Sequence, residues 1–256
     1  MIDKDGVYWS AKSEETLVDI DYRGQGLFEK MYEKIFEIAK VSNFHSIWGF
    51  TPARKSFLRV GFEIPIDTSQ LFKPLKAKCV VTLLNTEDNN FKLTGLKNHF
   101  KKLIYLLSGA VASTYSRFRG WTSKQLRFGL EKVEMHDLTC APEEAKKLCY
   151  DFIAQWGGTT IYRDKKYLKW RVFDNPYNKA NMIGAYINGE LVGYCAFALG
   201  ENKIGYIIDI LVAEPKKSER NSRNIIYKLI STASNRMSDM GAYGIRGWNM
   251  TSHKFD

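Results

Sequence analysis

Hydrophobic residues follow two different spacings along this chain, and the alternation between them predicts a mixed α/β protein. Near the start, the short apolar run Thr16–Ile20 has the composition of a strand. After a tight turn, apolar side chains recur three or four positions apart, at Leu27, Met31, Ile35, Ile38 and Ala39. Charged residues fill the opposite face, which predicts an amphipathic helix of about four turns packed on a sheet.

Further elements continue this alternation toward residue 84. Phe44–Thr51 is predicted as a strand, Pro52 as the start of a short helix that ends at Gly61, and Lys78–Leu84 as another strand. The first region therefore runs strand, glycine loop, helix, strand, helix, strand. By pattern, the chain divides into three predicted regions: residues 1–84, 85–130 and 131–256.

The third region has the most regular pattern and predicts the order β-α-α-β-β-β-α-β. Between its first two central strands stands Asn188–Gly189, which predicts a tight hairpin because both residue types tolerate positive φ. The predicted elements are Glu131–Asp137, Pro142–Trp156, Arg163–Phe173, Met182–Ile187, Leu191–Leu199, Ile204–Ala213, a helix around Ile225–Ala233, and Tyr243–Trp248.

Composition narrows the class of protein. The chain has 256 residues, 45% of them hydrophobic, so it can bury a core and is not expected to be disordered. No apolar run reaches the length of about 18 residues that a membrane-spanning helix needs, and the start has no signal-peptide pattern, so a cytoplasmic protein is expected. Cysteines and histidines form no metal-binding motif, and no metal site is predicted.

The middle region, 85–130, is basic within a chain whose formal charge is +10. Its apolar stretch Leu103–Tyr115 predicts a helix, for which three interpretations stay open. The helix packs on the domains with a solvated basic rim, or lies on an anionic membrane surface, or runs along nucleic acid. The basic residues are Lys92, Lys97, Lys101, Lys102, Arg117, Arg119, Lys124 and Arg127, with no acid among residues 92–127.

One loop carries a specific chemical signal. Arg23–Gly24–Gln25–Gly26 stands between a predicted strand and the start of a helix. Glycines leave backbone N–H groups uncovered, and the first helical turn adds its own unpaired N–H groups and the positive end of its dipole. Such a turn can hold a phosphate or diphosphate. The loop fits neither an NTPase P-loop nor a dinucleotide fingerprint, whose third glycine is replaced by Glu29.

The run TLVDIDYRGQGLFEKMYEKI, followed by IWGFTPARKSFLRVGFEI, resembles the GNAT superfamily of acyl-CoA-dependent N-acyltransferases. Arg23, Gly24 and Gly26 match the family pattern that binds the CoA diphosphate after the fourth strand, and Gly61–Phe62 matches the family's Gly-Phe. The resemblance implies acyl-CoA as co-substrate and no metal. It implies a cofactor-binding set of Leu17, Val18, Arg23, Gly24, Gln25, Gly26, Leu27 and Phe28.

The catalytic residues stay unassigned at this stage. Where the family commonly places a tyrosine that protonates the departing thiolate, this chain has Phe57, whose ring has no proton to donate. The family's asparagine after the fifth strand is absent, with Thr51 or Pro52 nearby. Asp19 and Glu63 are candidates for the base, although each is also typical of an ordinary surface carboxylate.

The third region has the family's own element order and is interpreted as a second, degenerate GNAT-like unit. Its counterpart of the loop, residues 214–221, has no glycine, so it is expected to serve as scaffold or acceptor-binding surface. Lys216, Lys217 and Arg220 could meet an anion there, but a solvated loop is the favoured interpretation. The first unit resembles the family only from its fourth strand on, which predicts either a tandem protein truncated at its N-terminus or a remnant that docks on the second unit.

Three functions follow from the resemblance. The first is transfer of an acyl group, acetyl above all, from CoA to a primary amine, such as an amino sugar of a bacterial surface polysaccharide. The second is a GNAT-fold remnant or binding module without catalysis, which Phe57 favours. The third is an aminoacyl-tRNA-dependent peptidyl transferase of the Fem type, with tRNA on the basic region; retention of the glycine loop argues against it, and nucleic acid is the less favoured partner.

Overall fold

The computed structural model describes residues 1–14, 16–51, 53–64, 68–82, 103–115, 133–177, 179–213 and 219–249. Its internal packing divides the chain into two units. The first unit consists of Met1–Asp67 together with Gly157–Tyr162, and the second of Thr68–Trp156 together with Arg163–Asp256. Within the described ranges, no helix combines the length and the apolar character needed to cross a bilayer.

The first unit contains short strands and two helices. Strands β1 and β2 form an antiparallel pair, and β3 and β4 form a parallel pair. Thr160 joins this unit through a bridge to Ile2, with N–O distances of 2.8 and 2.9 Å. The elements are β1 (Ile2–Asp3), β2 (Gly6–Val7), β3 (Ser10–Lys12), α1 (Leu27–Val41), β4 (Ser46–Trp48) and α2 (Arg54–Arg59).

Helix α1 confirms the predicted amphipathic helix, but its predicted inward face is wrong at two positions, because Leu27 is 39% and Ile38 is 55% exposed. Its fully buried Tyr32 and its Ala39 face inward, while the charged residues of the opposite face stay in solvent. Lys40 in the last turn suits the negative end of the helix dipole. The helix ends at Val41 with Ser42 as its C-cap, and Asn43 follows with φ of 55°, the left-handed conformation in which asparagine commonly stops a helix.

The second unit is built on one six-stranded mixed sheet. Its strand order is β5-β10-β9-β8-β7-β6, in which only β9 and β10 run parallel. The elements are β5 (Ser69–Pro74), β6 (Glu134–Leu138), α3 (Ala145–Trp156), α4 (Lys165–Leu168), β7 (Ala180–Ile187), β8 (Glu190–Leu199), β9 (Ile204–Val212), α5 (Glu219–Asp239) and β10 (Gly244–Asn249). Residues 103–115, called here the connector helix, are also helical.

The order predicted for residues 131–256 is confirmed from β6 to β10. The Asn188–Gly189 turn has φ of 52° and 80°, as a tight hairpin requires. One face of the sheet packs on α5, whose buried Ile225, Leu229 and Met237 join the main hydrophobic core. The helix predicted over Arg163–Phe173 is α-helical only at Lys165–Leu168 and continues as a π-helix over Lys169–Phe173.

Two predicted strands are wrong. The parallel pair uses Ser10–Lys12 in place of Thr16–Ile20, whose residues 16–19 lie outside any strand and whose Ile20 begins a 3₁₀ turn. Residues 79–82 of the predicted strand Lys78–Leu84 are helical, and 83–84 lie outside the described residues. Short apolar runs suit a buried helical turn as well as a strand, and here the fully buried Cys79 belongs to a helix.

A largely buried ion pair ties α4 to the sheet of the second unit, with side chains that are 14% exposed at Arg163 and 10% at Asp209. Nε of Arg163, just before α4, donates to both carboxylate oxygens of Asp209 on β9, at 2.9 and 3.1 Å. The hydroxyl of Tyr194 on β8 donates to the same carboxylate at 2.9 Å. Burial opposes the charged guanidinium, but the facing Asp209 carboxylate raises the pKa of Arg163 above its usual value. Burial, followed by the Asp209 charge, raises the pKa of Tyr194.

Removing the carboxylate charge should destabilise this unit. Asp209→Asn leaves the guanidinium of Arg163 buried without its counter-charge, so we expect the free energy of unfolding to fall by about 3–5 kcal/mol. Urea denaturation followed by circular dichroism measures the change. The control is Asp151→Asn, which removes one partner of the exposed Lys147 and should cost less than about 1 kcal/mol. Equal losses in the two variants would contradict a structural role for the buried pair.

Candidate functional site

The glycine loop forms a distinct turn ahead of α1. The carboxylate of Asp19 accepts the backbone N–H of Asp21 at 3.0 Å and caps the 3₁₀ turn Ile20–Tyr22. The chain then passes through Gly24, with φ of 79°, and Gly26, with φ of 69°. Gly26 is the N-cap of α1. Both positions require a left-handed backbone, which explains why glycine stands there.

The loop leaves space above its backbone. A Cβ placed on Gly24 or Gly26 would meet no atom within 4 Å. The N-cap residue has no side chain to accept a first-turn N–H group, so that end of α1 carries no side-chain cap. Uncovered amides, open space and the positive end of the dipole together make a suitable place for an anion.

Charged side chains surround the loop. Nε of Arg23 donates to the carbonyl oxygen of Val18 at 3.1 Å, so this guanidinium braces the segment before the loop. Glu29, in the first turn of α1, pairs with Arg59 of α2 at 3.0 Å. A hydrogen bond from its own backbone N–H, and then the Arg59 pair, lower the pKa of Glu29. Arg59 therefore offsets a carboxylate that would otherwise oppose a bound phosphate.

The ladder between the parallel strands β3 and β4 ends at Lys12 and Trp48, ahead of this loop in the sequence. Three residue pairs form the ladder, and the N–H of Ser13 adds a last hydrogen bond to the oxygen of Trp48 at 2.8 Å. A Cβ on Gly49 would lie only 2.7 Å from the oxygen of Ser13, so the close approach there requires glycine. Beyond this point Leu17 is 79% exposed, and residues 16–19 and 49–51 have no strand partner in the described chain.

The predicted cofactor-binding residues therefore form one continuous segment. Leu17 and Val18 lie beyond the end of β3, Arg23 to Gly26 form the turn, and α1 begins at Leu27. Phe28 faces inward, with its ring 4.8 Å from that of Tyr32 and 5.3 Å from that of Phe57. The Phe28 ring therefore packs α1 on the rest of the first unit.

An aromatic cluster occupies the place where the family tyrosine was expected. Phe57 lies edge-on to Tyr32 at 5.3 Å and to Phe62 at 5.1 Å between ring centroids. The N–H of Phe62 donates to the oxygen of Phe57 at 3.1 Å, and Gly61 between them has φ of 97°. The Gly-Phe pair thus closes α2 and packs in this cluster, and the ring of Phe57 is structural.

Tyr32 is a residue that the sequence prediction missed. Its buried hydroxyl hydrogen-bonds the hydroxyl of Ser13 and, at 3.0 Å, that of Thr16. Ser13 and Thr16 are themselves 3.2 Å apart. A hydroxyl network thus stands where β3 leaves β4. The available signal was its spacing, because Phe28, Tyr32 and Phe36 recur every four residues on the inward face of α1.

The two candidate bases lie on the surface. Asp19 and Glu63 are both exposed, and the carboxylate of Asp19 already accepts a backbone hydrogen bond. Their assignment as bases remains a prediction. In the described part of the chain, no cluster of three or more His, Cys, Asp or Glu residues has a geometry that could hold a metal ion.

The second unit repeats the strand geometry. Parallel β9 and β10 pair only over Ile204–Tyr206 and Gly244–Arg246, after which each continues along its other neighbour. The buried Asp209 lies on β9 beyond this short ladder. A charge inside the apolar run IIDILV requires a partner, and this was the sequence signal for the Arg163 pair. The loop residues Lys216 and Lys217, and the side chain of Arg220, lie outside the described residues.

Comparison with known proteins gives a match only at the level of structure. No protein-family model matches the sequence, and no curated protein matches it either. Among solved structures, a GCN5-related N-acetyltransferase from Anabaena variabilis superposes with a TM-score of 0.55 at 8% sequence identity, covering 96% of this chain and 51% of that one. The chain has the GNAT fold.

Two further structures agree. A conserved protein of unknown function from Enterococcus faecalis gives a TM-score of 0.55 at 10% identity, and a GCN5-related N-acetyltransferase from Kribbella flavida gives 0.50 at 12%. Each match covers 96% of this chain and 48% of the other. The chain thus spans about half the length of the GNAT-fold structures it matches.

Loss of the Tyr32 hydroxyl should weaken the first unit of this GNAT fold. Tyr32→Phe keeps the aromatic packing but leaves the hydroxyls of Ser13 and Thr16 with one partner fewer, and we expect unfolding to become easier by about 1 kcal/mol. Chemical denaturation measures this change. Tyr22→Phe, which alters an exposed ring, is the matched control and should leave stability unchanged. A Tyr32→Phe protein as stable as the wild type would mean that the network contributes nothing to folding.

Proposed function

We propose that this chain is an acyl-CoA-dependent N-acyltransferase, which moves an acyl group, acetyl above all, from CoA to a primary amine. The observation that supports this most is the open glycine turn at the start of α1, preceded in the chain by β3, whose parallel ladder with β4 ends after three residue pairs. A diphosphate would lie on the turn, and the extended arm of the cofactor would follow the backbone near Leu17 and Val18, beyond the end of that ladder.

The proposed reaction is a direct transfer. The amine nitrogen attacks the thioester carbonyl carbon, the new C–N bond forms, the C–S bond breaks, and the amine loses one proton while the CoA thiolate gains one. An amino sugar of a surface polysaccharide is the acceptor that the sequence resemblance suggests, and no feature of the described site selects among amines. Acyl-CoA is a co-substrate in this proposal, and no step in it requires a metal.

The hydroxyl network offers a source for the proton that Phe57 cannot supply. Ser13 and Thr16 are partly exposed at the point where the strands part, and both contact the buried hydroxyl of Tyr32. We propose that one of these two hydroxyls protonates the thiolate and that Tyr32 positions it. The proton released by the amine would restore the network, so the protons balance over one turnover.

Phosphate binding at the loop is tested by changing charge at constant backbone geometry. Gly26→Asp and Gly26→Asn share the left-handed strain and nearly the same volume, since both side chains tolerate positive φ. Only the aspartate brings a negative charge toward a bound diphosphate, so CoA affinity measured by calorimetry should fall about tenfold or more below that of the asparagine variant. Equal affinities in the two variants would refute binding at this turn.

Turnover separates the enzyme from a binding module of the same fold. Release of free CoA thiol from acetyl-CoA with a panel of amines should be detectable in the wild type and about 10²-fold slower in Tyr32→Phe. CoA affinity should be unchanged in that variant, because the Tyr32 hydroxyl is not among the groups proposed to bind CoA. Loss of affinity together with rate would indicate a hydroxyl that only supports folding. If the chain binds CoA through the loop but none of the amines causes thiol release, the non-catalytic module is favoured. The phenyl ring of Phe57 also favours that module.

A further inference from the structure

The connector helix packs through its small residues and exposes its large ones. Gly109 and Ser113 are buried, and a Cβ on Gly109 would stand 2.1 Å from the oxygen of Ala77, so only glycine permits that approach. The opposite arc of the helix is apolar and more than half exposed. It consists of Leu103 at 53%, Ile104 at 60%, Leu107 at 58%, Val111 at 71% and Tyr115 at 61%.

The connector helix exposes its apolar side, whereas a surface helix usually buries it. Residues three, four, seven and eight positions apart share one side of a helix, and a soluble protein normally turns such an apolar side toward its core. Here the five large apolar side chains form one continuous surface, called the 103–115 face, that water must cover in the isolated chain. An exposed apolar surface of this kind marks a site of interaction.

Charge identifies the occupant of the 103–115 face. Lys101 and Lys102 directly precede the helix in sequence, Arg117 follows it closely, and residues 92–127 contain eight basic residues and no acid. A second copy of the chain would bring these like charges together, which opposes symmetric pairing. Nucleic acid would match the charge but would leave the apolar side chains in water. An anionic lipid surface satisfies both features.

We propose that the 103–115 face docks on an anionic membrane surface, with the five apolar side chains inserted at the level of the headgroups. The helix would lie in the plane of the interface, and the positive charge that precedes and follows it in the sequence would favour an anionic surface. This proposal is independent of the proposed acyl transfer, because it uses none of the residues of the glycine loop or the hydroxyl network.

The test uses the full chain and lipid vesicles in a flotation assay. One set of vesicles is phosphatidylcholine alone, and the other also contains phosphatidylglycerol. We expect binding to the second set, weakened by salt because screening reduces the attraction between lysines and lipid phosphates. Leu107→Gln combined with Val111→Gln should lower the bound fraction about tenfold or more, since both side chains are exposed before binding and buried after it.

A matched control replaces apolar side chains elsewhere in the same unit. Tyr177→Gln combined with Met240→Gln changes two exposed residues without changing charge, and its vesicle binding should equal that of the wild type. Circular dichroism should show that both double variants keep the wild-type fold. The proposal would be overturned if the wild-type protein did not bind anionic vesicles or bound both vesicle sets equally. It would also be overturned if the two double variants lost the same bound fraction. A dimer that only the Leu107 and Val111 changes dissociate, without vesicle binding, would assign the face to a second copy.

Discussion

A parallel strand pair that hydrogen-bonds over only three residue pairs is the constraint on which the candidate site depends. In the first unit it joins β3 to β4, and in the second it joins β9 to β10. A longer ladder would satisfy every backbone group and leave nothing for a ligand to bind. In the first unit the early end of the ladder leaves residues 16–19 and 49–51 without a strand partner in the described chain. A ligand with amide groups of its own can complete the hydrogen bonds of such backbone.

The two units treat this opening differently. In the first, β3 is followed by residues 16–19, which have no strand partner in the described chain, and then by the glycine turn. The turn leads into α1, whose start suits an anion. In the second, β9 carries Asp209 beyond the residues that pair with β10. Arg163 neutralises its carboxylate, which also accepts a hydrogen bond from the Tyr194 hydroxyl. That buried pair fixes α4 against the sheet. The role of the second unit as scaffold or acceptor-binding surface stays a prediction, and residues 214–218 of its loop lie outside the described residues.

The parts of the fold that local pattern determines were predictable. Helix α1 followed from apolar spacing, and the hairpin at Asn188–Gly189 followed from the tolerance of both residues for positive φ. The elements that depend on distant partners were not. Thr16–Ile20 has strand composition, but the partner strand stops opposite Ser13, while Ser69–Pro74 is a strand because β10 lies beside it. Strand formation reflects cross-strand contacts more than intrinsic preference.

The site divides in the same way. The glycine turn could be read from sequence because it rests on consecutive residues, whereas the hydroxyl network required the fold to bring Tyr32 to Ser13. The membership of β5 in the sheet has a consequence for assembly. Its antiparallel partner β10 is the last described strand, so β5 cannot join the sheet until nearly all of the unit has left the ribosome. Until then β5 is an unpaired edge, exposed to mispairing with other nascent chains.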